Sequence, residues 1–327
     1  MKLARLAGLF CLACLALLAA LCAVPAAAQS AYPSRPVRII VPFAPGGIAD
    51  VASRLIAAKL GEAWGQPVLV ENRGGAGGNV GTVAVARSAP DGYTVLATTT
   101  AVSVNTSLYS NAGYDLEKDL VPVIDVASSP NLIVVNSALG VSNLKELFAR
   151  AKTAKLSYSS PGSGTTPHLT AEHLFRVTER LDIVHVPYGG AGPAVSAAVA
   201  GQVDIVSTSM PPAVPMIKSG RLRAIGVTSR ARVAALPDVQ TVAEQGFPGF
   251  EDYTWVGMFM PAGTPPDAVN RMNAEIQKLL ATAEMKERLA ALGFEPVGGS
   301  PAQFAAYLKK ELVKWAQMVK ETGAKVD

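Results

Sequence analysis

The strongest constraint on the fold is an alternation of short apolar runs with helical stretches, which begins after Pro33. Residues 37–41 form a β-branched run, and a glycine turn leads from it into a helical stretch. Further strands are predicted at residues 67–70 and 93–97, with a helix between them over residues 82–87. Strands that alternate with helices at this spacing indicate βαβ crossovers. We therefore expect an α/β protein with a largely parallel sheet covered by helices.

A second series of apolar runs follows, and it is too long for one small sheet. Its strands are predicted at residues 121–126, 131–135, 156–159, 183–186, 203–207, 222–228 and 254–260. Two sheets accommodate so many strands better than one. After residue 260 the chain is predicted to be purely helical, and the motif Ser300-Pro301-Ala302-Gln303 is predicted to start the last helix.

The amino terminus has the three parts of a secretory signal peptide. Lys2 and Arg5 precede an unbroken apolar stretch over residues 6–24, and three alanines at residues 26–28 follow it. Residues 1–28 are therefore predicted to be a signal peptide that is cleaved near Ala28, which would release a soluble, exported protein. The alternative is an uncleaved membrane anchor, since the apolar stretch approaches the ~20 residues that span a bilayer.

The three cysteines, Cys11, Cys14 and Cys22, lie inside this predicted signal peptide. The mature chain would then have no thiol, which excludes disulfides, thiolate metal sites and cysteine nucleophiles. Removal of Lys2 and Arg5 reduces 29 basic residues to 27 against 25 acidic ones, so the formal charge falls from +4 to +2. Such a small net positive charge argues against a nucleic-acid partner. The remaining ~299 residues correspond to about two domains.

A glycine-containing loop, residues 42–50 (PFAPGGIAD), joins the first strand to its helix. It lies at the carboxyl end of the strand, where open α/β sheets bind ligands. Its glycines allow a close approach of the backbone to a ligand, and the free amides of a helix amino terminus attract an anion. The alternative is a tight turn in which Asp50 only caps the helix.

The loop after the second strand, residues 72–81 (NRGGAGGNVG), occupies the equivalent place. Counted from Gly75, the third glycine that a dinucleotide fingerprint requires falls on Val80, and no P-loop lysine follows. What remains is a set of exposed amides beside Arg73, which suit a carboxylate better than a diphosphate. No cofactor is expected.

A third loop of small residues, residues 159–166 (SSPGSGTT), precedes a helix in the second series, and its amides and hydroxyls can hold the other end of a ligand. Neither Ser160 nor Ser163 lies in a Gly-x-Ser-x-Gly elbow, which argues against a serine hydrolase. His168 and His173 are five residues apart, which argues against a metal pair. We therefore expect no catalytic residue and no metal site.

Many segments of the chain match one family in consistent order. These segments are residues 32–43, 46–50, 71–79, 91–93, 159–169, 186–188, 201–204, 236–239 and 261–265. In them the chain resembles the tripartite tricarboxylate transporter receptors, also called the Bug family. The resemblance spans nearly the whole mature chain, and so many ordered matches are more specific than a single motif.

The resemblance implies a two-lobed periplasmic binding protein of type II, a Venus flytrap in which each lobe is a mixed or parallel sheet flanked by helices. Lobe 1 is expected to be discontinuous, formed by residues 29–126 and 254–327, and lobe 2 to span residues 127–253. A monomer of this kind would trap a small organic carboxylate by hinge closure, without catalysis. It would then pass the ligand to a membrane permease with a large and a small subunit. The alternative is a sensory receptor of the same fold that signals to a membrane regulator.

The resemblance also implies the ligand-binding residues. On the first lobe these are Phe43, Ala44, Gly47, Asp50, Ala76, Gly77 and Asn79. On the second lobe they are Ser159, Gly162, Gly164, Thr165, Tyr188, Asp204 and Ser207. Similar sequences commonly carry a lysine after the tyrosine, whereas Tyr188 is followed here by two glycines, so recognition through that cation is not expected. The nonpolar part of the ligand is left open, because aromatic side chains such as Tyr158 and Trp255 can pack on an aliphatic or an aromatic acid.

Overall fold

The computed structural model describes residues 32–326. The predicted signal peptide, its cleavage site and the three cysteines lie outside the described residues. The leading unit, residues 1–34, is therefore described only at residues 32–34, and the architecture below is that of the unit that begins at Arg35. Within the described part of the chain, no helix is long and apolar enough to cross a membrane.

Ten strands and eleven α-helices alternate along residues 35–326. The strands are β1 Val37–Val41, β2 Val68–Asn72, β3 Thr94–Thr99, β4 Leu120–Asn136, β5 Ser157–Ser160, β6 Val184–Pro187, β7 Ile205–Ser209, β8 Leu222–Val227, β9 Tyr253–Pro261 and β10 Glu295–Gly298. The helices are α1 Ile48–Trp64, α2 Asn79–Ala86, α3 Ala101–Leu108, α4 Leu116–Asp119, α5 Leu144–Ala151, α6 Thr166–Glu172, α7 Ala191–Val199, α8 Met210–Lys218, α9 Pro266–Ala281, α10 Ala283–Ala291 and α11 Pro301–Thr322. A π-helical segment, His173–Thr178, extends α6. The predicted α/β class is confirmed.

The strands follow the order β2-β1-β3-β9-β4-β7-β5-β6, and β8 and β10 also pair with β4. Pairing is parallel within β2-β1-β3 and within β7-β5-β6, as expected for strands linked by helical crossovers. All pairings of β4 and β9 are antiparallel. Two parallel sheets, one in each lobe, are thus joined by two antiparallel strands.

β4 connects the two lobes. The sequence predicted two strands here, at residues 121–126 and 131–135, but the structure has one strand of 17 residues. Up to Pro130 it pairs with β9, and from Asn131 it pairs with β7 and β8. The two predicted sheets therefore share one strand. The predicted lobe boundaries, residues 29–126 with 254–327 and residues 127–253, stay a prediction.

Each lobe has its own core. In the first, Ile39 and Val95 of the sheet pack with Ile56 of α1 and Met272 of α9, all completely buried. In the second, Ile133 and Tyr158 pack with helical residues that include Leu147 and Phe175. Burial of each large side chain contributes about 1.5–3 kcal/mol. The strands are held from both faces, which fixes the positions of the loops at their ends.

The C-terminal region differs from the prediction at one point. The short strand β10 pairs with β4, so the chain is not purely helical after residue 260. Its sequence, Glu-Pro-Val-Gly, has too little β propensity to signal a strand, and pairing with the edge of β4 decides it. The predicted start of the last helix is confirmed. Ser300 caps α11 in a reciprocal capping box with Gln303.

Candidate functional site

A small cavity lies between the two lobes, at the edge where the parallel strands end and their helices begin. It is lined by Phe43, Gly47, Ile48, Ala49, Thr99, Pro161, Thr165, Pro167, Ala191, Ser209 and Thr254. Thr99 and Ser209 are the last residues of β3 and β7, and Pro161 directly follows β5. The cavity thus occupies the place where open α/β sheets bind ligands, and both lobes contribute to it.

Four helices begin at the cavity without a side-chain cap. Their N-cap residues are Gly47 of α1, Thr165 of α6, Gly190 of α7 and Ser209 of α8. None of these side chains accepts a hydrogen bond from its helix, whereas Asn143 of α5 and Ser300 of α11 do so on the outside of the protein. Uncapped ends leave the first backbone amides without an intrahelical acceptor. These four ends therefore present a partial positive charge to an anion. The amide donors are fewer at α8, which begins Met210-Pro211-Pro212, so that only Met210 of its first three residues has a backbone N–H.

The cavity lining carries no charged side chain. Its polar groups are backbone amides and the hydroxyls of Thr99, Thr165, Ser209 and Thr254. An anion bound here would be recognised by neutral donors rather than by lysine or arginine. The enclosed volume is about 20 Å³, comparable to one water molecule, so a larger ligand can enter only if the surrounding loops separate.

The two lobes meet through glycines on either side of the cavity. A Cβ atom built on Gly77 would lie 2.5 Å from the carbonyl oxygen of Ser163, and one built on Gly192 would lie 2.4 Å from that of Pro45. Both distances are far below van der Waals contact. Any larger residue at either position would hold the lobes apart.

The first predicted loop lies at the cavity, as expected from its place after β1. Phe43 and Gly47 line it, and the backbone N–H of Ala44 donates to the carbonyl oxygen of Gly189 across the lobe boundary at 2.9 Å. Asp50 has another role. Its buried carboxylate accepts hydrogen bonds from the Gly46 amide, the Arg54 guanidinium and the Asn72 side chain.

These bonds decide the charge state of Asp50. Burial by itself would raise the pKa of its carboxyl group, but the hydrogen bonds from Arg54, Gly46 and Asn72 outweigh burial and hold the pKa below its ordinary value. An ionised Asp50 therefore joins the two predicted glycine loops. It lies one turn into α1 and is not among the residues that line the cavity.

The second predicted loop closes the cavity from one side rather than lining it. Gly77 contacts the third loop, and Ala76 precedes it with a positive φ of 47°. Asn79 is buried, and its side-chain oxygen accepts a hydrogen bond from Asn105 at 2.7 Å. Asn105 also donates to the carbonyl oxygen of Gly77. This α3 residue, which the sequence analysis missed, holds the loop in place.

In the third predicted loop, Thr165 lines the cavity and its hydroxyl donates to the carbonyl oxygen of Gly162. Gly162 itself lies against the carbonyl of Tyr188, and Gly164 packs on Asn105 of the first lobe. A Cβ on Gly164 would overlap the Asn105 side chain, at 2.1 Å. The glycines of this loop thus permit close contact between the lobes.

The other predicted residues of the second lobe have bonds inside that lobe. The Ser159 hydroxyl donates to the carbonyl oxygen of Ala194, and the Ser207 hydroxyl to that of Pro167. Tyr188 packs against a core beneath α7 and α8. Asp204 precedes β7, at the end of the strand remote from the cavity, and accepts from the amide of Ser157. The assignment of these four as ligand contacts stays a prediction.

Three hydroxyl residues of the cavity were missed. Thr99 and Ser209 end β3 and β7, and Thr254 lies on β9. For the first two, the signal was present as a change from apolar to polar residues at a strand end. Thr254 could not be found, because only the antiparallel pairing of β9 brings it between the lobes. Tyr158 and Trp255, considered as ligand contacts, are both buried elsewhere.

A serine and a histidine do meet near this site. The Ser160 hydroxyl lies 2.7 Å from Nε2 of His185, which stacks between Tyr158 and His168. Ser160 is completely buried, and burial, with a smaller contribution from Arg176, lowers the pKa of His185 to about 4. The pair lies beside the cavity but not among its lining residues. Among residues 32–326 no cluster of three His, Cys, Asp or Glu side chains is arranged to hold a metal ion.

Comparison with known proteins identifies the family. Residues 52–324 match the sequence pattern of the tripartite tricarboxylate transporter family receptor. The chain belongs to this family. It is also 38% identical over 294 residues to protein BugT of Bordetella pertussis, covering 89% of this chain and 90% of BugT. The receptor is therefore a solute-binding protein of the Bug family, as the sequence predicted.

Solved structures agree with this assignment. The receptor resembles the periplasmic binding protein BugD, with 36% identity and a TM-score of 0.86 over 90% of this chain and 99% of that one. It is similar to a Rhodopseudomonas palustris protein with adipate (33% identity, TM-score 0.87, 90% and 100% coverage). It is also similar to MatC of the same organism with bound malate (31% identity, TM-score 0.83, 88% and 100% coverage). The two-lobed fold and the periplasmic location follow, whereas the signal peptide and its cleavage near Ala28 stay predictions.

Proposed function

We propose that the receptor captures a small organic carboxylate in the cavity between its lobes and delivers it to a two-subunit membrane permease, without catalysing a reaction. The observation that carries this proposal is the meeting of four uncapped helix amino termini at a cavity with no charged lining residue. Such ends bind anions through backbone amides.

The chemistry of the cavity favours an anion over a cation, because its donors are helix amino termini and hydroxyls. Planar carboxylates are held by pairs of neutral donors, and hydrogen bonds to a charged group contribute about 1.5–3 kcal/mol each. Three or four such bonds, with burial of the ligand's carbon chain, are enough for the roughly −8 kcal/mol of a micromolar complex. The adipate and malate bound by the two similar proteins support the same class of ligand.

Capture requires the lobes to move. The cavity is too small for an organic acid while Gly77 and Gly192 contact the opposite lobe, so the ligand must enter when the lobes are apart. Among residues 35–326, β4 and β9 are the strands that connect the two parallel sheets, and we assign them as the hinge. A ligand that bonds to helix ends of both lobes stabilises the closed state, since only that state satisfies both sets of donors. A permease can then distinguish the loaded, closed monomer from the open one.

Thermal unfolding of residues 29–327 against a panel of carboxylates tests this function. The panel contains dicarboxylates, tricarboxylates, acidic amino acids and aromatic acids, with the amide of each acid as the matched control. A true ligand at 100 times its Kd should stabilise the protein by about 2.7 kcal/mol and raise the Tm by about 5–10 °C. Its amide should have no such effect.

Isothermal titration calorimetry gives the affinity, and small-angle scattering should show a smaller radius of gyration with the ligand than without it. If no carboxylate shifts the Tm or gives a saturable heat, the proposal is wrong. If a carboxylate binds but the radius of gyration does not change, carboxylate capture stands and hinge closure is wrong.

A further inference from the structure

A second concave surface lies on the opposite face of the hinge strands. This groove, formed by β4, β9, β10 and α11, has a volume of about 650 Å³, within the range of sites for small molecules. Its lining is acidic and aromatic, whereas the lining of the cavity has no charged side chain. The groove is lined by the carboxylates of Asp125, Glu251 and Glu295 and by the aromatic rings of Tyr253, Trp255 and Tyr307.

The strand register explains how a carboxylate reaches the floor of the groove. Asp125 of β4 is paired with Gly257 on β9 and with Gly298 on β10. Both neighbours are glycines, and the space above Gly257 is taken by the Phe304 and Trp255 rings, which leaves Asp125 6% exposed at the floor of the groove. Three residues further on, Ser128 is paired with Trp255 and Glu295, so a ring and a second carboxylate stand beside the floor.

The Asp125 carboxylate lacks a partner. The residue is only 6% exposed, and its Oδ1 atom is buried without a hydrogen bond. Within residues 32–326, no lysine, arginine or histidine forms an ion pair with Asp125, Glu251 or Glu295. A buried, unpaired carboxyl group is costly in a folded protein. Its position in an acidic groove points to a positively charged ligand.

The aromatic rings define which cation fits. Tyr307 is 38% exposed and packs edge-on against Trp255, with ring centroids 6.4 Å apart. Tyr253 is half-buried and lines the groove four residues before Gly257 on β9. Aromatic faces attract alkylammonium groups by about 0.5–2 kcal/mol each. No trio of acidic side chains among the described residues converges closely enough for a metal ion. The groove therefore fits a diffuse organic charge better than a compact metal cation.

We propose that this groove is a second ligand site, which binds a small organic cation carrying an alkylammonium group. The charged nitrogen lies over the Asp125 carboxylate, and its alkyl groups contact Tyr253 and Tyr307. Glu251 and Glu295 at the rim attract the cation from solution.

Proton release gives the site a specific signature. Burial, and then the nearby Glu311 carboxylate, raise the pKa of Asp125 to about 8, so its carboxyl group is mostly neutral at pH 7. The other titratable groups around the groove are Tyr307 and Glu311 of α11, Tyr253 of β9, Glu295 of β10 and Glu251 before β9. A cation bound beside Asp125 favours the ionised form and expels up to one proton. The affinity should therefore rise with pH between about 6 and 8.

Titration calorimetry at constant ionic strength tests the proposal with putrescine, choline and tetramethylammonium as probes and sodium chloride as the blank. At least one probe should bind saturably, with a heat that differs between phosphate and Tris buffers because a proton is released. Asp125→Asn, which keeps the shape of the side chain, should lower the affinity at least about tenfold and abolish the buffer dependence. Glu287→Gln on the exposed face of α10 removes the same charge outside the groove and should change the affinity less than about twofold.

Tyr307→Leu provides a second variant if Asp125→Asn does not fold, and it should weaken binding about threefold to tenfold. The absence of saturable binding up to about 20 mM of every probe would overturn the proposal. So would an unchanged affinity in a folded Asp125→Asn protein or in Tyr307→Leu. Because the carboxylate is absent from these titrations, the result does not depend on capture in the cavity.

Discussion

Thr254 and Trp255 are neighbours on β9, yet they belong to two sites of opposite character. Thr254 lines the cavity between the lobes, and Trp255 lines the groove on the other face. The cavity has no charged side chain, whereas the groove has three carboxylates. Successive residues of a strand point to opposite faces, so one strand can serve both. In the function that we propose, an anion is bound by backbone amides on one face of β9, and the acidic side chains lie on the other face.

The cavity and the groove also differ in how far their shape depends on movement of the two lobes. The cavity is built from two lobes that meet at glycines, and its shape depends on their separation. The groove is built on the paired strands β4, β9 and β10, with α11 beside them, and the β4–β9 ladder has an irregularity between Asp125 and Ala127. Variants that affect lobe contact should therefore alter the cavity, while titration of Asp125 should report on the groove.

The largest expected effect comes from Gly192→Ala. This residue lies in the first turn of α7, where alanine is well tolerated, but its Cβ would lie 2.4 Å from the Pro45 carbonyl oxygen of the other lobe. Overpacking of this kind costs about 1–3 kcal/mol, and the cost falls on the closed state alone. Carboxylate affinity measured by calorimetry should fall about tenfold to a hundredfold, with the Tm of the ligand-free protein nearly unchanged.

Gly189→Ala is the matched control for that variant. Gly189 lies in the same loop, and a Cβ there meets no atom within 4 Å. Its backbone oxygen can still accept from Ala44. Affinity should stay within about twofold of the wild type, since the change adds no contact. Equal losses in both variants would show that the loop tolerates no side chain, and lobe contact would not be the cause.

A smaller effect should separate two serines of β7. Ser209 lines the cavity, so Ser209→Ala should remove a hydrogen bond to the charged ligand and lower carboxylate affinity about tenfold, with little change in stability. Ser207→Ala should instead lower the stability and leave the carboxylate affinity nearly unchanged. The Ser207 hydroxyl donates to the Pro167 carbonyl inside the lobe, so its loss should cost about 1 kcal/mol of unfolding free energy. A larger affinity loss for Ser207→Ala would restore the sequence-based assignment of that residue.

The last expected effect is a pH dependence that belongs to the groove. The pKa of Asp125 is raised in the folded protein to about 8, well above the value of an unfolded aspartate. Its contribution to stability is complete below about pH 4 and is lost as the pH rises through 8. Unfolding free energy measured in urea should therefore decrease between about pH 6.5 and 8, by at most about 1.4 kcal/mol per pH unit.

The pH range and a variant separate the titration of Asp125 from that of other groups. Other strongly shifted acids and histidines titrate lower, because burial raises the pKa of Asp252 only to about 6 and lowers that of His168 to about 3. Asp125→Asn should flatten the slope above pH 6.5. A slope that persists in the variant would mean that another group titrates there. Carboxylate affinity should not share this slope, since no titratable side chain lines the cavity.

Much of the fold could be predicted because local patterns determine it. The β-branched runs at residues 37–41, 67–70 and 93–97 became strands, and the glycine-rich loops between strands and helices lie at the lobe boundary. The strands that pair with β4, and the length of β4 itself, were harder to predict from the sequence. β10 has no strand signal of its own, and the apparent break in β4 around Pro130 is bridged because β9 pairs along its whole first half.

The amino-acid sequence by itself determined the α/β class, the family and the glycine-rich loops between strands and helices, since alternation of apolar runs and clusters of glycine are local properties. Tertiary structure alone decided which residues of those loops face the cavity. In the folded protein Asp50 bonds to Asn72 and so connects two loops, and Asp204 lies at the end of β7 remote from the cavity. Thr254 of β9 lines the cavity. The physical reason is that strand pairing and lobe contact bring together residues that are far apart in the chain. No local sequence pattern indicates which face of a strand will lie against the cavity.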